Sequence, residues 1–203
     1  MRKNCFTALL AAAVAACGLA GCQHNEVSTE QTNEVIEISN SRETMLIDEI
    51  TNNMVLGGTE FSLPCYYSDL LNKFEENEHI SFSDGSVVTI DDYAECYQSN
   101  ILFDDNEIGN ILYSLDTNEV FGIYINVYCE NYTSFSFDNI NLGETTNDDI
   151  FNKYGVPVRG ENGLYLYQFG KRKDITFVFD NNILQAIIIN NVSDYNKLFG
   201  NGR

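Results

Sequence analysis

Acidic side chains are the residues of this sequence best suited to chemistry, because carboxylates can act as acids, bases or metal ligands. The densest run lies at positions 104–107 and reads Asp104-Asp105-Asn106-Glu107. Calcium prefers several such oxygens, but no acidic run here follows the EF-hand spacing, which needs acids at alternate positions and a glycine at the sixth. We therefore expect no metal site. Asp104, Asp105 and Glu107 remain the candidate calcium ligands, with a solvated turn as the alternative.

Motifs for other kinds of catalysis do not occur in the sequence. It has no Gly-x-Ser-x-Gly elbow, no glycine-rich phosphate loop and no His-Glu-x-x-His zinc motif. Its histidines are His24 and His79, and neither forms a known pattern with a cysteine or serine, so a nucleophile would have no visible base. We expect a protein that is not an enzyme and uses no cofactor. A buried, strongly perturbed carboxylate pair in a cleft would indicate the opposite.

The net charge excludes whole classes of partner. The chain has 203 residues, with 11 Lys and Arg against 30 Asp and Glu. Loss of residues 1–21 as a signal peptide would remove Arg2 and Lys3 and no acid, leaving nine basic residues against 30 acidic ones, a net charge of −21. Such a surface repels nucleic acid phosphates and anionic membranes, so we expect no nucleic acid ligand. It suits either plain solubility or a basic partner.

The first 22 residues have the anatomy of an export signal. Arg2 and Lys3 precede a short apolar run at 6–16, which is shorter than the roughly 20 residues that span a membrane. The run leads into Leu19-Ala20-Gly21-Cys22, which resembles the lipobox of bacterial lipoproteins. The resemblance implies cleavage before Cys22, a lipid on its thiol, and an extracytoplasmic protein held to a membrane by that lipid alone. An ordinary signal peptide with a chance cysteine is the alternative.

Residues 22–41 are predicted to be a flexible tether, because they are polar and contain no aromatic residue. Beyond the tether lie three cysteines, Cys65, Cys96 and Cys129, whose spacing matches no compact metal motif. An odd number cannot all pair within one chain. We interpret them as buried free thiols and leave open one disulfide between an unassigned pair.

An internal repeat organises the mature chain. Residues 69–74 match residues 149–154 at an offset of 80, and residues 115–126 match residues 179–190 at an offset of 64. Each copy predicts a helix followed by antiparallel strands, with a hairpin at an Asx-rich turn. We expect an α+β fold of two tandem helix-plus-antiparallel-sheet repeats, with four segments: signal peptide 1–21, tether 22–41, first repeat 42–130 and second repeat 131–203.

A further helix is predicted ahead of the first copy. Leu46, Ile47, Ile50 and Met54 recur at near-helical spacing, and Gly57-Gly58 follows as a stop signal.

The second copy resembles a known family. The residues that carry the resemblance form a glycine turn, an acidic helix start, an apolar helix and a Gly-x-Pro stop: Gly143, Thr145, Asp148-Asp149, Ile150-Phe151 and Gly155-Val156-Pro157. This pattern is similar to the SmpA/OmlA (BamE-like) family and to the repeats of β-lactamase inhibitory protein. About 60 residues of the second copy follow it, whereas the first copy has Leu63-Pro64 at the turn and no such stop after Phe74. The resemblance implies this α+β fold and a tendency to bind proteins with the sheet face.

Tyr165 and Tyr167 are the candidate binding residues on that sheet. They share one face of a predicted strand, with Leu164, Leu166 and Gln168 on the other. A tyrosine ring can bury area while its hydroxyl stays hydrated, which suits a binding face; packing under the helix is the alternative. We expect an envelope lipoprotein that acts by contact with a protein partner, as a scaffold or inhibitor. Binding of a small ligand, a cation or a cell-wall polymer is the alternative function.

Overall fold

Antiparallel strands make up most of the structure. The computed structural model describes residues 47–91, 94–127, 134–194 and 197–198. Strand accounts for 54% of these residues and helix for 16%, so the helices are minor elements. Within these ranges the helices are α1 (Ile47–Ile50), α2 (Tyr67–Phe74) and α3 (Asn147–Tyr154). The strands are β1 (Met54–Leu56), β2 (Thr59–Phe61), β3 (Cys65–Tyr66), β4 (Ile80–Phe82), β5 (Ser86–Asp91), β6 (Ala94–Phe103), β7 (Asn106–Ser114), β8 (Glu119–Asn126), β9 (Phe135–Phe137), β10 (Ile140–Asn141), β11 (Arg159–Glu161), β12 (Leu164–Gly170), β13 (Lys173–Asp180) and β14 (Ile183–Asn191).

Ten of these strands form one large sheet. Its order is β11-β12-β13-β14-β8-β7-β6-β4, with β3 added beside β8 and β5 beside β6. Two-residue turns at Asp104-Asp105, Asn162-Gly163 and Asn181-Asn182 connect neighbouring strands, and every residue in them has a positive φ, between 47° and 79°. Asn, Asp and Gly tolerate this left-handed conformation, which matches the twist of the flanking strands. Local turn chemistry therefore sets the register of three hairpins.

The two copies of the sequence repeat meet at the centre of this sheet. β8 and β14 pair antiparallel, with Ile123 opposite Ile189 and Ile125 opposite Ile187. The hairpins predicted at the Asx-rich turns are confirmed, since β7 pairs with β8 and β13 with β14.

The predicted fold class, two tandem helix-plus-sheet repeats, is wrong. The structure is mostly antiparallel β-sheet with three short helices in its described part, and strands from both copies share one sheet. The physical reason is the edge that each copy would otherwise leave open. An unpaired β8 or β14 would present a row of free backbone donors and acceptors, and pairing the two strands satisfies both rows.

A second, smaller sheet and the helices cover one face of the large sheet. The smaller sheet has the order β10-β9-β1-β2. Apolar side chains from both sheets and from α2 and α3 form one buried cluster, whose members include Met54, Leu56, Phe61, Leu70, Phe74, Phe137, Ile150, Tyr154, Ile123, Ile125, Phe177 and Ile189. The main core therefore lies between the large sheet and this layer.

The helix predicted ahead of the first copy is shorter than expected. It ends at Ile50, and Met54 lies in β1 instead. Gly57-Gly58 is the turn between β1 and β2, with φ values of 55° and 81°. Met54 and Leu56 are buried on one face of β1, so this segment follows the alternating burial of a strand and not the spacing of a helix.

Helix α3 begins and ends with specific backbone chemistry. The Thr146 hydroxyl accepts a hydrogen bond from the Asp149 amide while the Asp149 carboxylate accepts one from the Thr146 amide, which forms a capping box. The helix stops at Gly155, whose φ is 72°, as the Gly-x-Pro signal predicts.

The predicted signal peptide, the lipobox cysteine Cys22 and the tether lie outside the described residues, as does Cys129. In the part of the chain that is described, no helix is long and apolar enough to cross a membrane.

Replacing a buried residue at the strand β8–β14 junction tests whether the large sheet behaves as one unit. Ile189 is fully buried, so Ile189→Ala should lower the free energy of unfolding by about 2–5 kcal/mol. Because Ile189 lies where the two copies meet, backbone amides of β6–β7 and of β12–β13 should lose hydrogen-exchange protection together. Loss of protection in only one of the two hairpins would contradict a single cooperative sheet.

Candidate surface on the outer face of the large sheet

Backbone pairing places two rows of side chains on the sheet face that points away from the helices. Residues directly opposite each other on neighbouring strands share a face. The first row runs across six strands through Gln98, Leu112, Gly122, Asn190, Asp174 and Gln168. The second row runs beside it through Asn100, Asn110, Tyr124, Ile188, Thr176 and Leu166. We call these two rows the outer face; at about 4.8 Å per strand they extend for about 24 Å.

The outer face is poor in charge. Asp174 is the only acidic or basic side chain in the two rows, although the chain carries 30 acidic residues. Asn and Gln contribute most of the polar groups. The apolar side chains between them are Leu112 and Ile188, which are 6% and 7% exposed, and Leu166, which is partly buried. This mixture of amides and aliphatic side chains differs from the acidic surface that the composition implies for the rest of the chain.

The two ends of the outer face differ in charge. The turns at one end carry Asp104, Asp105 and Asp180, and Glu161 lies at the same end of the edge strand β11. The opposite end carries the basic run 171–173, which spans the β12–β13 turn and the start of β13, together with the acids Asp116 in the β7–β8 turn and Glu95 at the start of β6. The face is therefore a charge-poor strip between an acidic border and a border of mixed charge.

Asp174 has an unusual environment for a carboxylate. It is 6% exposed, and burial raises its pKa from 3.8 to about 6, against the opposing effect of a hydrogen bond from Asn190. The Asn190 amide nitrogen donates to Asp174 Oδ1 at 2.9 Å. A Cβ at Gly122 would lie 3.4 Å from Asn190 Oδ1 and 3.3 Å from Leu112 Cβ. Glycine at this position therefore leaves room for the Asn190 side chain that holds Asp174.

Asn110 lies at the centre of the β6–β8 part of the outer face. It is 6% exposed, and its Oδ1 atom has no hydrogen-bond partner. Its cross-strand neighbours are Asn100 and Tyr124, both half-buried. The Asn100 amide nitrogen donates to Glu107 Oε2 at 3.1 Å, and the Gln98 amide nitrogen donates to Asn100 Oδ1 at 3.4 Å. A buried acceptor thus lies among amides that are already joined to one another.

The predicted binding residues Tyr165 and Tyr167 lie on the other face, under helix α3. Tyr167 is fully buried and its hydroxyl donates to the Gly155 carbonyl at 2.9 Å. Tyr165 is partly buried, with its ring packed edge-on against Phe151 of α3 at 5.1 Å between centroids. The alternative of packing under the helix is the arrangement found, because the aromatic rings of β12 supply the apolar area that α3 buries.

The acidic run Asp104-Asp105-Asn106-Glu107 forms the turn between β6 and β7. Asp104 and Asp105 occupy its left-handed positions, and Asp104 Oδ1 lies 2.9 Å from His79 Nδ1. This hydrogen bond, followed by the charge of Asp104, raises the pKa of His79. Glu107 instead accepts from Asn100. Within the described ranges, no three His, Cys, Asp or Glu side chains converge as a metal site.

Of Cys65, Cys96 and Cys129, the first two are described, and both are free thiols. Burial raises the pKa of Cys65 and of Cys96 to about 12, so neither thiol is activated as a nucleophile. Cys96 packs with Leu112, Phe121, Val192 and Leu198, so the C-terminal segment covers the outer face at Leu112.

The amides of the outer face were not among the site residues predicted from the sequence, which were tyrosines and acidic residues. A signal existed in the alternation of polar residues at Gln98 and Asn100 along one strand, which is typical of a strand with one polar face. The registers that bring these residues beside Asn110 and Tyr124 depend on pairings between strands, and single-strand patterns do not report them.

Truncation of Tyr167 should act on stability alone. Tyr167→Ala should lower the free energy of unfolding by about 3–5 kcal/mol, because it empties a fully buried aromatic site. The exposed neighbour Gln168 provides the matched control, and Gln168→Ala should change stability by less than about 0.5 kcal/mol. Urea denaturation of both variants gives the comparison, and equal effects would contradict the assignment of their faces.

Asp174→Asn should stabilise the protein at neutral pH and have little effect in acid. A carboxyl group whose pKa is raised on folding favours the folded state when protonated, so its contribution is largest below about pH 4 and declines as pH rises to about 6. A rise from 3.8 to about 6 corresponds to at most about 3 kcal/mol, which the variant should recover above about pH 7. Denaturation curves across this pH range check it, and parallel profiles for the variant and the parent protein would refute it.

Comparison with known proteins adds no relative from which a function could be inferred. Searches against protein-family models, curated proteins and solved structures found no match to the chain. The resemblance of the second copy to the SmpA/OmlA family therefore stays a prediction.

Proposed function

We propose that this protein is a lipid-anchored, extracytoplasmic binding protein that acts by contact between the outer face and another protein. The observation that carries the proposal is the pair of charge-poor rows that cross six strands of a sheet in a strongly acidic chain. Interface cores are depleted in charged residues relative to the remaining surface, while their borders are polar. The outer face combines such a core with charged turns at its ends.

The proposed partner covers several strands. A contact area about 24 Å long suits a loop, a strand or a helix of another protein lying across the sheet. Polar groups that lose water in a complex must find partners in it, so the accessible amides of the outer face would contribute specificity. Leu166, which is partly buried, would contribute apolar area, whereas Leu112 and Ile188 are already buried within the chain itself.

The proposal assigns no chemical step to this face. Asp174 has a raised pKa, but its neighbour in the hydrogen bond is the amide of Asn190, which neither accepts nor releases a proton at ordinary pH. Acid–base catalysis by two carboxylates needs a second acid within reach, and the two rows offer none. The proposed role is therefore binding.

The resemblances in the sequence agree with this proposal. The lipobox-like segment ending at Cys22 implies anchoring outside the cytoplasm, and the pattern at 143–157 is similar to families that bind proteins through a sheet. The contact residues proposed here differ from that expectation. They are the amides of the outer face, whereas Tyr165 and Tyr167 lie on the opposite face of the sheet.

Photo-crosslinking in intact bacterial cells tests the proposal. A photoreactive amino acid at Gln168 or at Gln98 should capture one and the same protein, because both positions lie in the first row. Asn72, an exposed amide on α2, is the matched control on the opposite layer and should capture nothing comparable. Equal capture from Asn72 would contradict a specific contact on the outer face.

Two further measurements complete the test. Cys22→Ala should release the protein from the membrane fraction, since the proposed anchor is the lipid on that thiol. The captured protein, once purified, should bind the wild-type chain and lose affinity for Gln168→Glu, which places a charge at the exposed member of the first row. If no protein is captured and calcium or cell-wall fragments raise the melting temperature, the proposal of protein contact is wrong and the alternative, ligand binding, is favoured.

A further inference from the structure

Strand β5 is the longest edge strand of the large sheet in the part of the chain that the structure describes. It spans Ser86–Asp91 and pairs with β6 on one side, and no described strand lies on its other side. The other strands at the edges of this sheet, β3, β4 and β11, have two or three residues each. Folded proteins commonly protect an open edge with a charged residue or a proline, because its backbone groups can pair with another chain. Residues 86–90 contain neither.

Two residues of β5 present backbone groups to the open side. The Ser83 amide, just ahead of β5, donates to the Asn100 carbonyl of β6 at 3.0 Å, so the backbone of Asn100 faces the edge. This direction alternates along a strand, so the even-numbered positions of β6 before Asn100 also face the edge, and their partners are the even-numbered positions of β5. The odd-numbered positions, Val87 and Thr89, therefore direct their amides and carbonyls away from β6.

Apolar side chains flank this open row on both faces of the sheet. On the face that carries the helices, Val87 is 54% exposed and lies opposite Tyr97. The Tyr97 ring stacks on Tyr113 with centroids 5.1 Å apart, so Val87 stands at the exposed end of an aromatic row. On the outer face, Val88 and Ile90 are half-buried. A strand added beside β5 would therefore find apolar neighbours on both of its faces.

The charge of this half of the sheet favours a basic partner. No lysine or arginine occurs between Lys73 and Lys153, a stretch that supplies every residue of β4 to β8. Asp84 precedes residues 86–90, and Asp91-Asp92 follows them in the sequence. An extended segment with a basic residue at each end would therefore meet an acidic residue at each end of the edge.

Charge also disfavours two other occupants of the edge. Strand β5 of a second copy would bring the acidic ends of the two strands together, whether it paired parallel or antiparallel, and like charges opposite each other destabilise a sheet. The apolar segment 35–38 of this chain contains Glu37 and follows Glu34, so it is acidic as well. The remaining occupant is a basic segment of another protein.

We propose that β5 receives an extended segment of another protein, which adds to the large sheet as a further strand. The segment carries apolar residues at alternate positions and a lysine or arginine at each end. Its backbone pairs with Val87 and Thr89, and its side chains pack beside Val87 on one face and Val88 on the other. This edge is a contact surface separate from the outer face, so the site proposed here and the proposed function can fail independently.

Matched peptides test the edge as a binding site. The probe is acetyl-Lys-Lys-Val-Thr-Val-Thr-Val-Lys-Lys-amide. One control replaces every lysine by glutamine, and the other carries an N-methyl group on every central amide nitrogen, which removes the donors and keeps the charge. The whole chain, purified in a non-ionic detergent at low salt, is titrated with each peptide while amide hydrogen exchange is followed by NMR.

The probe should protect the amides of Val87 and Thr89 from exchange, because they become hydrogen-bonded to the added strand. It should bind at least about tenfold more tightly than the glutamine peptide, and this advantage should shrink as salt is added. The methylated peptide should give no protection.

A pair of variants separates the edge from the overall charge. Thr89→Lys and Asn152→Lys each replace an exposed neutral residue by lysine, so they change the net charge equally. A lysine on β5 protects the edge against pairing, so Thr89→Lys should weaken binding of the probe by at least about tenfold. Asn152→Lys on α3 should leave the affinity within about twofold of the parent protein. Melting temperatures of both variants check that the fold is unchanged.

Each outcome decides the matter. Protection of the Val87 and Thr89 amides in the chain without peptide would overturn the site, because the edge would already be covered. If that protection rose with protein concentration, the occupant would be a second copy. Equal affinity for the probe and the glutamine peptide, binding of the methylated peptide, or an unchanged affinity in Thr89→Lys would each overturn it too.

Discussion

The pairing of β8 with β14 is the interaction on which the remaining structure depends. Each of these strands is the last one of its copy of the sequence repeat, and each would otherwise end a sheet with an open row of backbone groups. Their pairing places Ile123, Ile125, Ile187 and Ile189 at the middle of the core, where all four are buried. Once they are joined, the helices and the small sheet can cover only one face, because the ten-stranded sheet separates the two sides.

That division explains why the two faces differ in chemistry. The inner face must bury area against α2, α3 and the small sheet, so aromatic side chains such as Tyr167 and Phe177 lie there, packed edge-to-face with ring centroids 5.6 Å apart. On the outer face, the described part of the C-terminal segment packs through Leu198 against Leu112, and amides occupy much of the remaining area. The raised pKa of Asp174 and the unpaired oxygen of Asn110 are costs that packing alone does not require, and they agree with the binding role proposed for this face.

Local features of the fold were predictable from the sequence, whereas the association of its parts was not. The left-handed turns at Asn162-Gly163 and Asn181-Asn182 and the end of α3 at Gly155 follow from residue types that tolerate positive φ, and strands β12 to β14 follow from apolar alternation. The two copies share one sheet because the backbones of β8 and β14 pair, and neither segment has a sequence pattern that predicts this pairing. Likewise, Met54 fits a helical and an extended pattern equally well, and only its partner strand decides between them. The candidate site was missed for the same reason, since Asn100, Asn110 and Tyr124 come together through register.

The unlike borders of the outer face give it a direction. Asp104, Asp105, Glu161 and Asp180 lie at one end of the strands, whereas the other end carries the run 171–173 together with Asp116 and Glu95, so the electrostatic potential is more negative at the first end. A segment with its own unequal ends, such as a helix with its dipole, has one favourable orientation along that gradient and one unfavourable one. The sheet can therefore discriminate between the two orientations of a bound segment. The turns that do so lie at the ends of the outer face, away from the amides at its centre.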